Sequence, residues 1–240
     1  MSKITPYNTT DSKKKQVEKM FDSIAKRYDL LNHSLSFGMD YYWRRKAIKY
    51  LTNNPKTILD VATGTADFAI CAAKLKDVKI TGIDISKGMV NIGKEKIKRK
   101  RLEGVIELQI ADSENLPFTE NSFDAITAGF GVRNFENLEK GLSEMYRVLS
   151  KNGIAAILEP SKPKSFPLKQ IYTIYFNHVL PLFGKLISKD NSAYTYLPNS
   201  VEAFPRRKDF IKHLQDVGFK SCNHIPLTFG IVDLYLAIKE

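Results

Sequence analysis

The chain has 240 residues, 43% of them hydrophobic, enough for one large core or at most one domain with a small appendage. A formal net charge of +11 and a pI near 9.4 favour an anionic partner, nucleic acid or an acidic lipid surface, but the charge is dispersed and says nothing about fold. Cys71 and Cys222 sit in apolar settings without CxxC or metal-ligand spacing, so no disulfide framework or metal is implied and reduced thiols in the cytosol are expected.

The opening MSKITPYNTTDSKKK is polar, with no apolar core of a secretory signal, and no run of 18 apolar residues predicts a transmembrane helix. Val17, Met20, Phe21, Ile24 and Tyr28 recur at helical spacing and predict a first helix over about 13–27; a second follows over about 39–51. The period then shortens. TILDVA (57–62), VKITGID (78–84), VIELQIA (105–111), FDAITA (123–128) and IAAILEP (154–160) read as strands, with helices between them at 66–75, 86–101 and 136–149. Such alternation gives parallel βαβ units with helices on both faces of a doubly wound sheet.

After Pro160 comes an apolar segment over 166–187, then a polar loop, SKDNSAYTYLPNS, then a basic helix near 206–216. The end, FKSCNHIPLTFGIVDLYLAIK, reads as two strands joined by a tight turn and antiparallel to each other. The expected class is α/β: a Rossmann-like, mostly parallel seven-stranded sheet with an antiparallel terminal hairpin. We expect one domain over 1–240, with a helical N-terminal extension (about 1–52) and a helical substrate-side insertion (about 161–216).

The first strand runs into DVATGTADFA, a small-residue turn that opens a helix and lets backbone amides approach a ligand. A dinucleotide pattern, GxGxxG, would align Ala62, Gly64 and Asp67; a carboxylate at the third position argues against a pyrophosphate. A cationic ligand without phosphate, such as S-adenosyl-L-methionine, tolerates it. Asp84 ends the second strand, 20 positions after Gly64, where an acid can take both ribose hydroxyls as donors; NAD would be served as well. Asp112 ends the third strand in IADSENLPF, where it can accept from an adenine amino group while Ser113 offers its amide. Each acid alone could cap a helix or turn. At successive strand tips they are better read together, because ligands of open α/β sheets bind outside the carboxyl ends of strands.

The blocks MFDSIAKRYDLLNHSLSFGMDYYWRRK, LDVATGTAD, ADSENLPF, GFGVRN, EMYRVLSKNG and YTYLPNSVEAFP cover nearly the whole chain. Through them the sequence resembles the ubiquinone/menaquinone biosynthesis C-methyltransferases, which have the class I S-adenosylmethionine-dependent fold. The first and last blocks are peculiar to that family. The resemblance implies methylation of a ring carbon of a reduced, prenylated quinone precursor, most readily demethylmenaquinol, with the benzoquinol of the ubiquinone route as alternative. Carried over by position, Thr63, Gly64, Asp84, Asp112 and Ser113 are cofactor contacts. The chain departs from the family at Gly129, often Ser, and at Ala66, commonly Gly.

A hydroquinone carbon is activated by ionising a neighbouring hydroxyl, and a fixed cation aimed at that oxygen stabilises the charge. Arg133, just past the fourth strand, is placed for this, with Asn134 orienting the ring or a water; the plainer reading pairs Arg133 with Glu159 or Asp29. The carbon must then lose a proton, to His178, Asp29, Glu159 or a water held by Arg133 and Asn134. Tyr28, Asn32, Trp43 and Arg45 fall in the N-terminal block and would close a lid over the cofactor.

The segment FPLKQIYTIYFNHVLPLFGKLIS, kinked at Pro181, either packs on the sheet or lines a channel for the prenyl tail and touches the bilayer, with Lys164, Lys169 and Lys185 attracted to acidic headgroups. The expected location is cytoplasmic and peripheral at the inner face of the membrane. The oligomeric state stays open, a homodimer included. No nucleic-acid partner is expected, since neither cysteine lies near strand four or five and GFGVRN stands where base amino-methylation uses [DN]PP[YF]. An NAD-linked oxidoreductase and a non-catalytic cofactor-binding protein are the remaining rivals.

Overall fold

The computed structural model describes residues 4–175 and 191–240. Its strands are Thr57–Val61 (β1), Lys79–Asp84 (β2), Ile106–Ile110 (β3), Phe123–Gly129 (β4), Leu149–Pro160 (β5), Ser221–Leu227 (β6) and Val232–Ile238 (β7). They form one sheet in the order β3-β2-β1-β4-β5-β7-β6; β7 is antiparallel to β5 and β6, and the other described pairings are parallel. Strand order reverses at β1, between β2 and β4, which opens a crevice at their carboxyl ends.

Both faces of the central sheet are buried, which is why β1, β4, β5 and β7 read as near-continuous apolar runs; β3 and β6, at the edges, are partly exposed. Ile58 and Ala156 pack to one side with Ala69, Val90 and Ile97. Leu59 and Ile157 pack to the other with Leu142, Met145 and Val148. The first side is covered by Met39–Ile48 (α2), Asp67–Ala72 (α3) and Lys87–Arg99 (α4), and the second by Leu138–Val148 (α5) and the helix Lys208–Asp216. β5 begins at Leu149, earlier than expected, and its register against β4 shifts between Phe123 and Ala125.

The first helix, Lys13–Leu35 (α1), is longer than its apolar pattern implied. Ser12 caps it, accepting from the Lys15 amide at 3.3 Å, and no glycine interrupts it until Gly38. Val17, Met20 and Leu31 of α1 bury against Tyr196. That tyrosine lies on the helix Asn191–Ala203, where a polar loop was expected. The loop reading rested on polar composition. It overlooked Tyr196, Ser200 and Phe204, buried at a four-residue spacing that makes one helical stripe. Of the segment 166–187, Leu168–Ile174 (α6) is helical; His178, Pro181 and Lys185 lie outside the described residues. Among those residues no helix is long and apolar enough to cross a membrane.

Candidate active site

The turn after β1 carries Ala62 and Gly64 in left-handed backbone, φ 52° and 56°. It aims the Gly64 amide at the tip of β2, where it donates to Asp84 Oδ2 at 2.8 Å. The Ser86 amide donates to Asp84 Oδ1 at 2.9 Å. Asp84 is 9% exposed. Burial pushes its carboxyl up to about 6, against the pull of these two amides. Each oxygen keeps a lone pair for a ligand donor.

Asp112, just past β3, accepts from the Glu114 amide through Oδ1 at 2.9 Å and from Lys14 Nζ through Oδ2 at 2.6 Å. Gly64, Asp84, Asp112 and Ser113 line one pocket, roofed from α1 by Val17, Phe21 and Tyr28. Thr63 does not line it. Its hydroxyl donates to buried Asp60 at 2.6 Å, and it borders a small recess behind the turn with Arg44 and Asp67.

Asp67 also lies in that recess, so the sequence argument that used it against phosphate fails in its detail. Its carboxylate is bridged by Lys96, which also reaches Asp29 at 2.8 Å. Asp29, His33 and Asp67 converge closely enough for a metal ion, but the Lys96 ammonium already supplies the cation. The case against phosphate rests instead on the pocket wall. Among the described lining residues Lys14 is the one cation, and it is spent on Asp112. Four acids, Asp84, Asp112, Glu114 and Glu136, and a single paired lysine suit an adenosine ligand carrying a sulfonium; they repel a pyrophosphate.

Behind this pocket lies a second cavity of about 580 Å³, walled by Met20, Ile24, Leu31, Trp43, Tyr172 and Ile231. Phe21, Tyr28, Phe130 and Asn134 line both spaces, so the acid-bearing pocket and the apolar cavity adjoin at these four side chains. Arg133 stands on the cavity side. It sits in the short 3-10 turn Val132–Asn134 after β4. Its Nη1 donates to Glu159 Oε2 at 3.0 Å and to the Phe130 carbonyl, and its amide donates to Glu159 Oε1 at 3.2 Å. Glu159 is fully buried on β5, and burial raises its carboxyl while Arg133 lowers it. The Arg133 side chain is 8% exposed and its Nε is buried with no partner among the described residues. The plain pairing with Glu159 and the position on the cavity wall hold together: the acid fixes one edge of the guanidinium.

Asn134 is set from two sides. Its amide N–H donates to the Gly131 carbonyl at 3.0 Å, and Tyr196 donates its hydroxyl to Asn134 Oδ1 at 3.1 Å. Burial pushes Tyr196 up to about 12, so the phenol keeps its proton as donor. With Oδ1 spent, the side-chain NH₂ is the group left for a ligand oxygen.

Of the proposed bases, Asp29 is tied to Lys96 and to Thr65 and is not on the cavity wall, and Glu159 is tied to Arg133; His178 lies outside the described residues. In the N-terminal block, Tyr28, Asn32 and Trp43 line the cavity, and Trp43 Nε1 donates to Thr228 Oγ1 at 2.8 Å. Arg45 is exposed. Its neighbour Arg44 turns inward, 5% exposed, to pair with Asp40 and lie 5.8 Å from the Phe130 ring. One residue on a helix is a turn of about 100°, and the apolar flanks Trp43, Ala47 and Ile48 carried the signal that favoured Arg44. Gly129, where the family often has Ser, faces Phe68: a Cβ there would stand 3.0 Å from the ring. Lys14 and Tyr196 were missed, because nothing local marks residues that meet the site from the far ends of the chain; Phe130 was missed although it stands in GFGVRN, three positions before Arg133.

The model of the ubiE/COQ5 methyltransferase family matches residues 9–239. A demethylmenaquinone methyltransferase of Bacteroides fragilis is 52% identical over 239 residues, covering 99% of this chain and 98% of the relative. A ubiquinone/menaquinone biosynthesis C-methyltransferase, UbiE, of Geotalea daltonii is 47% identical over 230 residues, 95% of this chain and 97% of the relative. Among solved structures, a SAM-dependent methyltransferase from Aquifex aeolicus superposes with a TM-score of 0.58 at 19% identity, over 81% of this chain and 89% of its own; that likeness supports the fold.

Proposed function

The chain belongs to the ubiE/COQ5 methyltransferase family, and from that premise we propose that it methylates the ring carbon of demethylmenaquinol using S-adenosyl-L-methionine. The observation that carries the reading is the shared wall. An acid-bearing pocket fit for adenosine and an apolar cavity fit for a prenylated ring meet across Phe21, Tyr28, Phe130 and Asn134. We read the chain as one methyltransferase domain in which the N-terminal extension and the insertion after β5 build the cavity.

When bound, the cofactor supplies an electrophilic methyl group on a sulfonium. Asp84 would hold the ribose hydroxyls and Asp112 the adenine edge, with Ser113 and Gly64 offering backbone amides. Thr63 contributes through Asp60 and the turn rather than by a contact of its own hydroxyl. The apolar roof from α1 excludes water, which strengthens every charge inside. Arg133, steadied by Glu159, stabilises the phenolate oxygen beside the attacking carbon, and the Asn134 NH₂ orients the ring. A water held between Arg133 and Asn134 takes the ring proton after transfer; His178 keeps the role of alternative base. A peripheral, cytoplasmic enzyme that meets the membrane transiently follows from the prenylated substrate.

The test is methyl transfer to demethylmenaquinol and to the matching benzoquinol, read by product mass. Methylation of the naphthoquinol is the expected outcome. Cofactor binding with no transfer to either ring sinks the reading in favour of a non-catalytic binding protein.

A further inference from the structure

Three phenylalanines stand out of the described surface: Phe37 and Phe166, each 81% exposed, and Phe229 at 76%. They come from the α1–α2 turn, the stretch before α6 and the β6–β7 connection. Contacts gather these segments. The Phe37 ring lies 6.0 Å from that of Tyr175, beside the end of α6. Trp43 ties α2 to Thr228, next to Phe229. A Cβ on Gly230 would stand 3.9 Å from Pro163 Cα, and Arg207 Nη2 donates to the Lys162 carbonyl at 2.9 Å.

Phe37, Leu168 and Thr228 line the apolar cavity, so the projecting rings border its mouth. Phe229 is held in left-handed backbone, φ 57°, a strained conformation for a large side chain left exposed. Cations flank the rings. Lys164 and Lys169 are exposed. Partial burial and then the charges of Arg206 and Lys169 hold the Lys162 ammonium below the usual lysine range, so Lys162, Lys169 and Arg206 lie near one another, with Glu202 the acid among them.

We propose that this rim, Phe37, Phe166 and Phe229 with Lys164 and Lys169 beside them, is the surface on which the enzyme docks to an acidic lipid bilayer. The inference rests on the prenylated-substrate reading above. Large apolar rings kept exposed in one place mark an interaction site. Here they are separate wedges from three loops, not a continuous stripe that a partner helix would cover. Aromatic wedges ringed by lysine suit the headgroup zone, where rings insert and ammonium groups meet anionic lipid. Docking there brings the cavity mouth to the layer that holds a prenyl tail.

The experiment is sedimentation of the full chain with vesicles of equal parts phosphatidylglycerol and phosphatidylcholine, compared with pure phosphatidylcholine. Binding to the acidic vesicles is expected, with weaker binding to neutral ones. Phe166→Ser/Phe229→Ser lowers binding about tenfold or more, and Lys164→Ser/Lys169→Ser lowers it on acidic vesicles alone. Unchanged binding by both pairs overturns the proposal. So does self-association of the parent that the phenylalanine pair abolishes while vesicle binding persists, which assigns the rim to a second copy. Turnover of a demethylmenaquinol with one isoprene unit, added without vesicles, separates the two readings. The phenylalanine pair should match the parent there; a parent inactive in that assay refutes the catalytic reading whatever the vesicles show.

Discussion

On its sheet side the pocket that holds Asp84 and Asp112 is main chain and short acids at adjacent strand tips, under a roof of α1 side chains, whereas the apolar cavity is made throughout of long side chains from α1, α2, α6, the helix Asn191–Ala203 and the terminal hairpin. In the first, main-chain amides of the strand-tip turns hold the acids, Asp84 by those of Gly64 and Ser86 and Asp112 by that of Glu114, with Lys14 of α1 added on Asp112. In the second, position depends on partners far away in the chain, such as Tyr196 for Asn134. Rigid strand ends suit a ligand that every turnover presents unchanged. A cavity of side chains suits a tail whose grip is area rather than geometry. Arg133 stands at the border and borrows from both, rooted on a strand end and aimed into the cavity.

The largest effect is expected at that border. Arg133→Gln combined with Glu159→Gln removes the ion pair as a unit, since deleting one member leaves a buried charge unpaired at about 3–5 kcal/mol. The double variant should lose about 10²–10³ in kcat while calorimetric affinity for S-adenosyl-L-methionine stays within about twofold. Near-parental turnover would remove the arginine from the chemistry.

Next comes the strand-tip side. Asp84→Asn should weaken S-adenosyl-L-methionine about 10–100-fold, the loss of charged acceptance from two hydroxyls. The pH dependence has a definite sign. Burial raises the carboxyl to about 6, so below that pH the free enzyme carries a proton there that the ligand must displace. Affinity falls as pH drops through about 6 and is steady above it; in Asp84→Asn this limb flattens. A parental limb that survives the substitution belongs to another group, Asp60 first, which burial also raises to about 6.

The side-chain half has a sharper test of dependence at a distance. Tyr196→Phe should cost about tenfold in kcat/KM by freeing the Asn134 amide to rotate, yet add nothing in an Asn134→Ala background. Additive losses would mean that the tyrosine acts by packing alone. The smallest effect is expected deep in the cavity. Leu197→Trp narrows it and should lower kcat/KM several-fold for a long-tailed quinol but not for a one-isoprene quinol, with cofactor affinity unchanged.

Much of this was legible in the sequence. Strands β1, β4 and β5 announced themselves as apolar runs because both faces of the central sheet are covered, β2 and β3 as short runs rich in branched residues, and the acids could be placed because a carboxylate directly after such a run sits at a strand tip. Asp84 and Asp112 are local facts. Arg44 against Arg45 was a question of helix rotation that composition near Trp43 could have settled. The long apolar pattern of α1 stopped short of its true end because the last turns carry Asn32 and His33, whose partners, the cavity and Asp40, belong to other elements. The helix Asn191–Ala203 was hidden because its buried stripe makes sense only against α1.

The sequence by itself determined the strands, the turns at their tips and the acids they carry, since period and turn chemistry act over a few residues. Only the tertiary structure decided which side chains share the wall between pocket and cavity, that Lys14 takes up one oxygen of Asp112, and that Tyr196 holds Asn134. Those pairings span 62 residues for Asn134 and Tyr196 and 98 for Lys14 and Asp112. At such separations no local preference acts, and contact is settled by how helices pack over the sheet.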